Sequence, residues 1–235
     1  MRTLLSTLAA SLLLLAGVPR AEAGDNVVVL ELFTSQGCAA CPPADELIGA
    51  FAARDDVIAL SMHVDYWDYI GWEDSFADAA FTARQKRYAR SWNRSTVFTP
   101  QLIVGGVDEA KSARRSVVNE LLAEHSARPP RVHLTMTRGA DGTLRIEATA
   151  EPPLSSEADV MLIRYTPHAA VEVTSGENNG RRLTHFNVVT SLETVTRWDG
   201  QGALQMTISA PGDDPAVVMV QEKGQGAVLA AARRR

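Results

Sequence analysis

"VVVLELFTSQGCAACPPADELI", residues 27–48, decides how the rest of the chain is read. Val27 to Phe33 is a nearly continuous apolar run, the pattern of a strand covered on both faces. A polar loop, Thr34 to Gly37, follows, and then Cys38 and Cys41 with two residues between them. From Pro42 to Ala53 the pattern turns helical, with Leu47, Ile48 and Phe51 on one side. Pro42 and Pro43 suit a first helical turn, where an N–H has no intrahelical partner to lose. The stretch therefore predicts strand, CxxC turn and helix, with Cys41 in the first turn.

These are the two cysteines of a 235-residue chain. A structural bridge across two residues closes a tiny loop and constrains the unfolded chain little. A chain of this length can bury a core without staples. At a helix N-terminus, unpaired amides and the helix dipole stabilise a thiolate, which is the attacking species in disulfide exchange. The expected chemistry is attack by Cys38 and resolution by Cys41. Ala39-Ala40 adds no charge, so the reduction potential is open from about −270 to −120 mV and the direction of exchange stays open with it. Zinc would need two further ligands, and His63 and His125 stand apart as packed or surface residues. Copper held by two thiolates, with Met62 as a neighbour, stays as an alternative. No metal and no cofactor is expected in the redox reading.

The first residues set the redox compartment. Arg2, the apolar run Leu4 to Ala16 and Ala21-Glu22-Ala23 read as a secretory signal peptide over residues 1–23, with the mature chain starting near Gly24. Export, periplasmic or secreted, puts both thiols in an oxidising setting. Losing residues 1–23 removes Arg2, Arg20 and Glu22 and moves the formal charge from −5 to −6. A mildly acidic chain without a basic stripe excludes nucleic acid as the expected partner. No later segment is long and apolar enough to predict a membrane span.

Residues 24–128 alternate strand and helix: strands at Val57 to Val64 and Gln101 to Val104, helices at Ser75 to Trp92 and Val107 to His125. Gly105-Gly106 marks a turn. The alternation predicts a sheet with helices packed on it. Pro129-Pro130 breaks the helix, and beyond it the pattern has period two. Residues 131–235 predict a β-rich, antiparallel sandwich-like or barrel-like domain. Its expected strands are a hairpin around Asp141-Gly142 and runs at Val160 to Tyr165, Ala169 to Thr174, Phe186 to Thr190, Leu192 to Arg197, Leu204 to Ser209 and Ala216 to Gln221.

Three further features stand beside the CxxC. Aromatics in Asp65-Tyr66-Trp67-Asp68-Tyr69-Ile70-Gly71-Trp72 follow the second strand, at the end of the sheet where open α/β folds bind ligands. Tyr66 and Trp67 could line a peptide groove or pack the following helix. Glu177-Asn178-Asn179-Gly180 reads as a turn, or as a loop docked beside the cysteines. Glu31 sits in the apolar run; resemblance to thioredoxin-like proteins, which place a buried acid on the strand before the CxxC, implies a proton carrier for the thiols, and the other reading is a solvated edge residue.

"FTPQLIVGG" (98–106) resembles the element of the thioredoxin fold in which a cis-proline leads a core strand facing the CxxC pair. That resemblance implies a cis bond at Pro100 and substrate-backbone contacts from Thr99 and Phe98. Together with 27–45, "HVDYWDYIGWEDSFADAAFTARQKRYA" (63–89), "GENNGRRLTHFNVV" (176–189) and Trp198-Asp199-Gly200, the chain resembles the exported bacterial family catalogued as domain of unknown function 1223. The resemblance implies an α/β thioredoxin-like N-terminal domain and a β-rich C-terminal part, and no substrate. Ala39-Ala40 departs from the small hydroxyl residues usual between the cysteines of that family. The function expected is an exported thiol–disulfide oxidoreductase acting on envelope proteins that carry thiols or disulfides, together with an unidentified redox partner. The alternative is a thioredoxin-fold binding module, for copper or a protein, without turnover.

Overall fold

The computed structural model describes residues 27–234; the signal peptide expected over 1–23 lies outside the described residues. The chain is mixed α/β. The apolar runs 28–34 and 57–63 form fully buried strands, β1 (Val28–Thr34) and β2 (Val57–His63), parallel to each other and joined by helix α1 (Pro42–Ala52). Helix α2 (Ala79–Ser91) follows, capped by Asp78, whose carboxylate accepts from the Ala80 amide at 2.7 Å. Strand β3 (Gln101–Val104) runs antiparallel to β1, turns through Gly105 and Gly106 at positive φ, and pairs with the short β4 (Asp108–Glu109). Helix α3 (Arg115–Ser126) closes this half.

The remaining strands are β5 (Val132–Arg138), β6 (Thr143–Ala150), β7 (Ala158–Glu172), β8 (Arg182–Trp198), β9 (Leu204–Ser209), β10 (Ala216–Glu222) and β11 (Val228–Arg234). Eight strands form one mixed sheet in the order β11-β10-β7-β8-β2-β1-β3-β4; β5, β6 and β9 form a second, antiparallel one. The join between the halves lies at β2 and β8, where Ser61 pairs with Val188. Side chains reinforce it: Ser61 Oγ donates to the Phe186 carbonyl at 2.9 Å and Asn187 Nδ2 to the Ala59 carbonyl at 2.8 Å.

Strand periodicity sorts the interior into three cores. On one face of the large sheet Val29, Phe33, Ile58, Leu60, Met62, Met161, Ile163 and Met219 pack with Phe81 and Tyr88 of α2. On the opposite face Leu30, Leu32, Ala59 and Val104 pack with α1 and α3. Further along that second face, Val160, Leu162, Val218 and Val220 share a core with Leu134, Met136, Leu144 and Ile146 of the smaller sheet. Residues 131–234 thus supply both a second layer and half of the first.

Several expected boundaries differ. The expected pairs of short strands at 160–174 and 186–197 fuse into β7 and β8, which absorb irregularities at Val160/Met161 and Arg164/Tyr165 as register shifts. The helix expected from Ser75 begins at Ala79, because Asp78 supplies the cap. The helix expected from Val107 begins only at Arg115, because residues 108–109 continue the sheet.

Candidate functional site

The chain leaves β1 at Thr34 and turns through Ser35, Gln36 and Gly37 before it reaches Cys38. Close packing sets one requirement there: a Cβ at Gly37 would sit 3.3 Å from the Trp67 Cβ. The Cys38 amide donates to the Ser35 carbonyl at 3.1 Å and the Cys41 amide to the Cys38 carbonyl at 3.2 Å. Cys38 and Cys41 are joined by a disulfide, with their Cα atoms 5.4 Å apart. Cys41 is the N-cap of α1, one position before the helical turn expected for it.

The electrostatics of this helix start are unusual. Pro42 and Pro43 bring no N–H, and the next two amides, Ala44 and Asp45, both donate to the Cys41 carbonyl at 2.8 and 3.1 Å. The free amides expected to stabilise a thiolate are therefore absent or already bonded in these four residues, and the helix dipole is what remains. Glu177 Oε2 accepts from the Ala39 amide at 3.3 Å, which places a carboxylate beside the loop.

Both cysteines are closed off, Cys38 at 1% and Cys41 at 0% exposure, while Ala39 and Ala40 between them are exposed. Part of the cover is residues 173–181, the tip of the β7–β8 hairpin. Its fold is held by Val173 N–H donating to the Arg181 carbonyl and Gly180 N–H to the Val173 carbonyl. From it the buried Asn178 donates through Nδ2 to the carbonyls of Gln36 at 2.9 Å and Cys38 at 3.0 Å, and Arg181 orients the Asn178 amide at 2.7 Å. Ser175 donates to the Gly71 carbonyl. Of the two readings of the Glu177–Gly180 motif, the hairpin tip combines both: it turns the chain and docks on the cysteine loop.

The other expected site residues separate into two groups. Thr99–Pro100 is a cis peptide at the head of β3, and Thr99 Oγ1 accepts from Trp67 Nε1 at 2.7 Å. Trp67, Tyr66, Thr99 and Pro100 are half-buried, Phe98 is 47% exposed and Tyr69 83%. Burial raises the Tyr66 phenol to about 12. Trp67 and Tyr66 also pack against the core shared with α2, so these aromatics serve the sheet as well as the surface.

Glu31 lies elsewhere. Residues of β1 alternate faces, and Glu31 shares the α2 face with Val29 and Phe33, opposite α1. It is buried, not a solvated edge residue: Arg84 Nε reaches its Oε1 at 2.6 Å, Arg84 Nη2 its Oε2 at 3.1 Å, and Tyr88 Oη donates to the same Oε2. Burial opposes the Arg84 charge, but Glu31 outweighs it and holds the guanidinium above its ordinary range. The buried carboxylates on the α1 side, among the described residues, are Asp45 and Asp74, neither of which the sequence singled out. Asp45 Oδ1 accepts from Thr34 Oγ1 at 2.9 Å. Asp74 accepts from the Gln36 amide at 2.8 Å and from His63 at 2.7 Å. Met62, the methionine suggested for copper, is buried on the α2 face. No group of three or more His, Cys, Asp or Glu suited to a metal occurs among the described residues. No helix among them is long and apolar enough to cross a membrane.

A family model described as "Protein of unknown function (DUF1223)" matches residues 29–221. The crystal structure of protein AGR_C_4864 from Agrobacterium tumefaciens is similar at 32% identity, covering 89% of this chain and 94% of its own, with a TM-score of 0.74. No curated protein matches the chain.

Proposed function

The chain belongs to the family of proteins of unknown function DUF1223, and we propose that it carries out thiol–disulfide exchange on exported proteins through Cys38 and Cys41. The observation that carries the reading is the disulfide at the junction of a buried strand with a helix, beside a second strand led by Pro100. Support for a thioredoxin-like core comes from β1–α1–β2 in parallel, followed by β3 antiparallel to β1, then β4 and α3. The strand order β2-β1-β3-β4 sits inside the larger sheet. The N-terminal sequence supports export to the periplasm or medium, where such a pair would meet its substrates.

In this reading Cys38 forms the mixed disulfide and Cys41 resolves it. Thr99 and Phe98, at the edge of β3, meet the substrate backbone. Because both sulfurs are covered, exchange begins with displacement of the 173–181 tip, which is tied down by hydrogen bonds worth about 0.5–1.5 kcal/mol each. A second reading, a binding module whose bridge never opens, is favoured by the same burial.

Insulin reduction with a dithiol donor separates the two. The redox reading expects wild type to accelerate it, Cys38→Ser to be inactive, and Cys41→Ser to accumulate a mixed disulfide on Cys38. Absence of both turnover and adduct would favour the binding module.

A further inference from the structure

Beneath the cysteine loop, on the α1 face of the sheet, lies a closed set of ionisable side chains drawn from four parts of the fold. His63 ends β2, Asp74 comes from the loop before α2, His185 from β8 and Asp45 from the first turn of α1. Side-chain exposure is 0% for His63, Asp74 and His185 and 3% for Asp45. His63 Nδ1 is 2.7 Å from Asp74 Oδ2, the two imidazoles meet edge to face at 4.7 Å, and His185 Nδ1 stands 3.6 Å from Asp45 Oδ1. Phe76 packs on both rings, at 5.3 and 5.8 Å.

This set is incompletely satisfied. Among the described residues, Asp45 Oδ2, His63 Nε2 and both ring nitrogens of His185 have no hydrogen-bond partner. Each such buried, unpaired group destabilises the fold, and apolar residues of the same shape would remove the cost. A core kept only for packing has no use for them. Both ends of the set touch the cysteine loop: Asp74 accepts from the Gln36 amide at 2.8 Å, and the Asp45 amide donates to the Cys41 carbonyl at 3.1 Å.

We propose that His63, His185, Asp45 and Asp74 form the proton store of the Cys38–Cys41 pair, a proton-supplying role that rests on the redox reading above. The need for one follows from the site. Cys41 is fully buried in the closed protein, beneath the loop that the tip clamps, and the first turn of α1 offers a leaving thiolate there few free amides. The reductant is a dithiol of a partner protein. One partner thiol loses its proton to solvent and attacks Cys38 Sγ. The Cys38–Cys41 bond breaks, and Cys41 Sγ leaves with the electron pair and takes a proton from the store. The second partner thiol returns a proton to the store as it attacks the mixed disulfide, and Cys38 leaves as a thiolate that solvent protonates. The partner is oxidised to a disulfide, two electrons pass to the pair, and the store ends as it began.

The titratable neighbours of the two imidazoles are Asp45 from α1 and Asp74 from its loop, with Asp68 behind Asp74, where its Oδ1 accepts the Asp74 amide at 3.1 Å. β7 opposes His185 with Ala169, and β1 supplies Thr34.

The test is the pH dependence of reduction by dithiothreitol, corrected for the reagent's thiolate fraction, in the whole protein and in His185→Gln. Wild type should show an ionisation between about pH 5 and 8. His185→Gln should lose it and react about ten-fold slower or more. Superimposable profiles overturn the proposal while leaving the redox reading standing. A wild-type disulfide that native protein never yields to dithiothreitol overturns both. Should the variant not fold, the histidine titrations of oxidised and reduced wild type, followed by NMR, decide. The proposal expects one imidazole to shift by at least about one pH unit between the two states, and identical titrations overturn it.

Discussion

Asn178 donates a hydrogen bond of 3.0 Å to the carbonyl of Cys38, 140 residues earlier in the chain. The same amide group holds the Gln36 carbonyl at 2.9 Å, so one side chain clamps the cysteine loop from above. Asn178→Ala removes both bonds and leaves two carbonyls to find water once the tip lifts. Two bonds of about 0.5–1.5 kcal/mol each correspond to roughly a 5- to 150-fold rise in opening. Alkylation of the reduced pair, or its reduction by a small dithiol, should accelerate by about that factor. An unchanged rate would show that the tip does not control access.

Glu31 and Arg84 form a buried ion pair on the face of the sheet away from α1. Glu31→Gln leaves the Arg84 charge uncompensated and should cost about 3–5 kcal/mol in denaturant unfolding. The double change Glu31→Leu with Arg84→Met should recover most of that loss, because no lone charge stays buried. In both variants the pH profile of cysteine alkylation should match wild type. A displaced profile would return Glu31 to the thiol chemistry.

Asp74 is pushed up by burial, but its hydrogen bond and charge interaction with His63, with the Gln36 and Phe76 amides, outweigh that and hold it below the ordinary carboxylate range. The sign follows from its lowered folded value. The stabilisation is complete above the unfolded carboxylate pKa of about 3.9 and is lost as pH falls through the lower folded value. Urea midpoints should therefore drop more steeply below about pH 4 in wild type than in Asp74→Asn. At neutral pH the variant should be weaker by about 1–3 kcal/mol.

Phe98 is 47% exposed beside the Thr99–Pro100 bond, and its carbonyl is engaged by Gln85 Nε2 at 2.8 Å. Phe98→Ser should shift stability by less than about 0.5 kcal/mol. In the redox reading it should slow exchange with peptide thiols while leaving reduction by dithiothreitol unchanged. Equal effects on both reagents would remove Phe98 from substrate contact.

Much of the architecture could be read from residue pattern alone, because β1 and β2 are apolar on both faces and α1 starts at a proline pair. What escaped depends on distance along the chain. β11 joins small apolar residues to a run of arginines, which carries no period-two signal. β7 and β8 are broken in pattern by exposed ends that only their mutual pairing explains. The histidine pair needs β8 beside β2, a contact between segments about 120 residues apart that no local spacing announces. One clue was present: His63 has the same parity as Val57, Ala59 and Ser61, which places it on the α1 face, whereas Glu31 has the parity of Val29 and Phe33.

The reduction potential of the Cys38–Cys41 pair in the folded protein, measured by equilibration with dithiol buffers, tests the redox account most directly. A value between about −270 and −120 mV is predicted. A value below about −300 mV would contradict it and leave a permanent structural bridge.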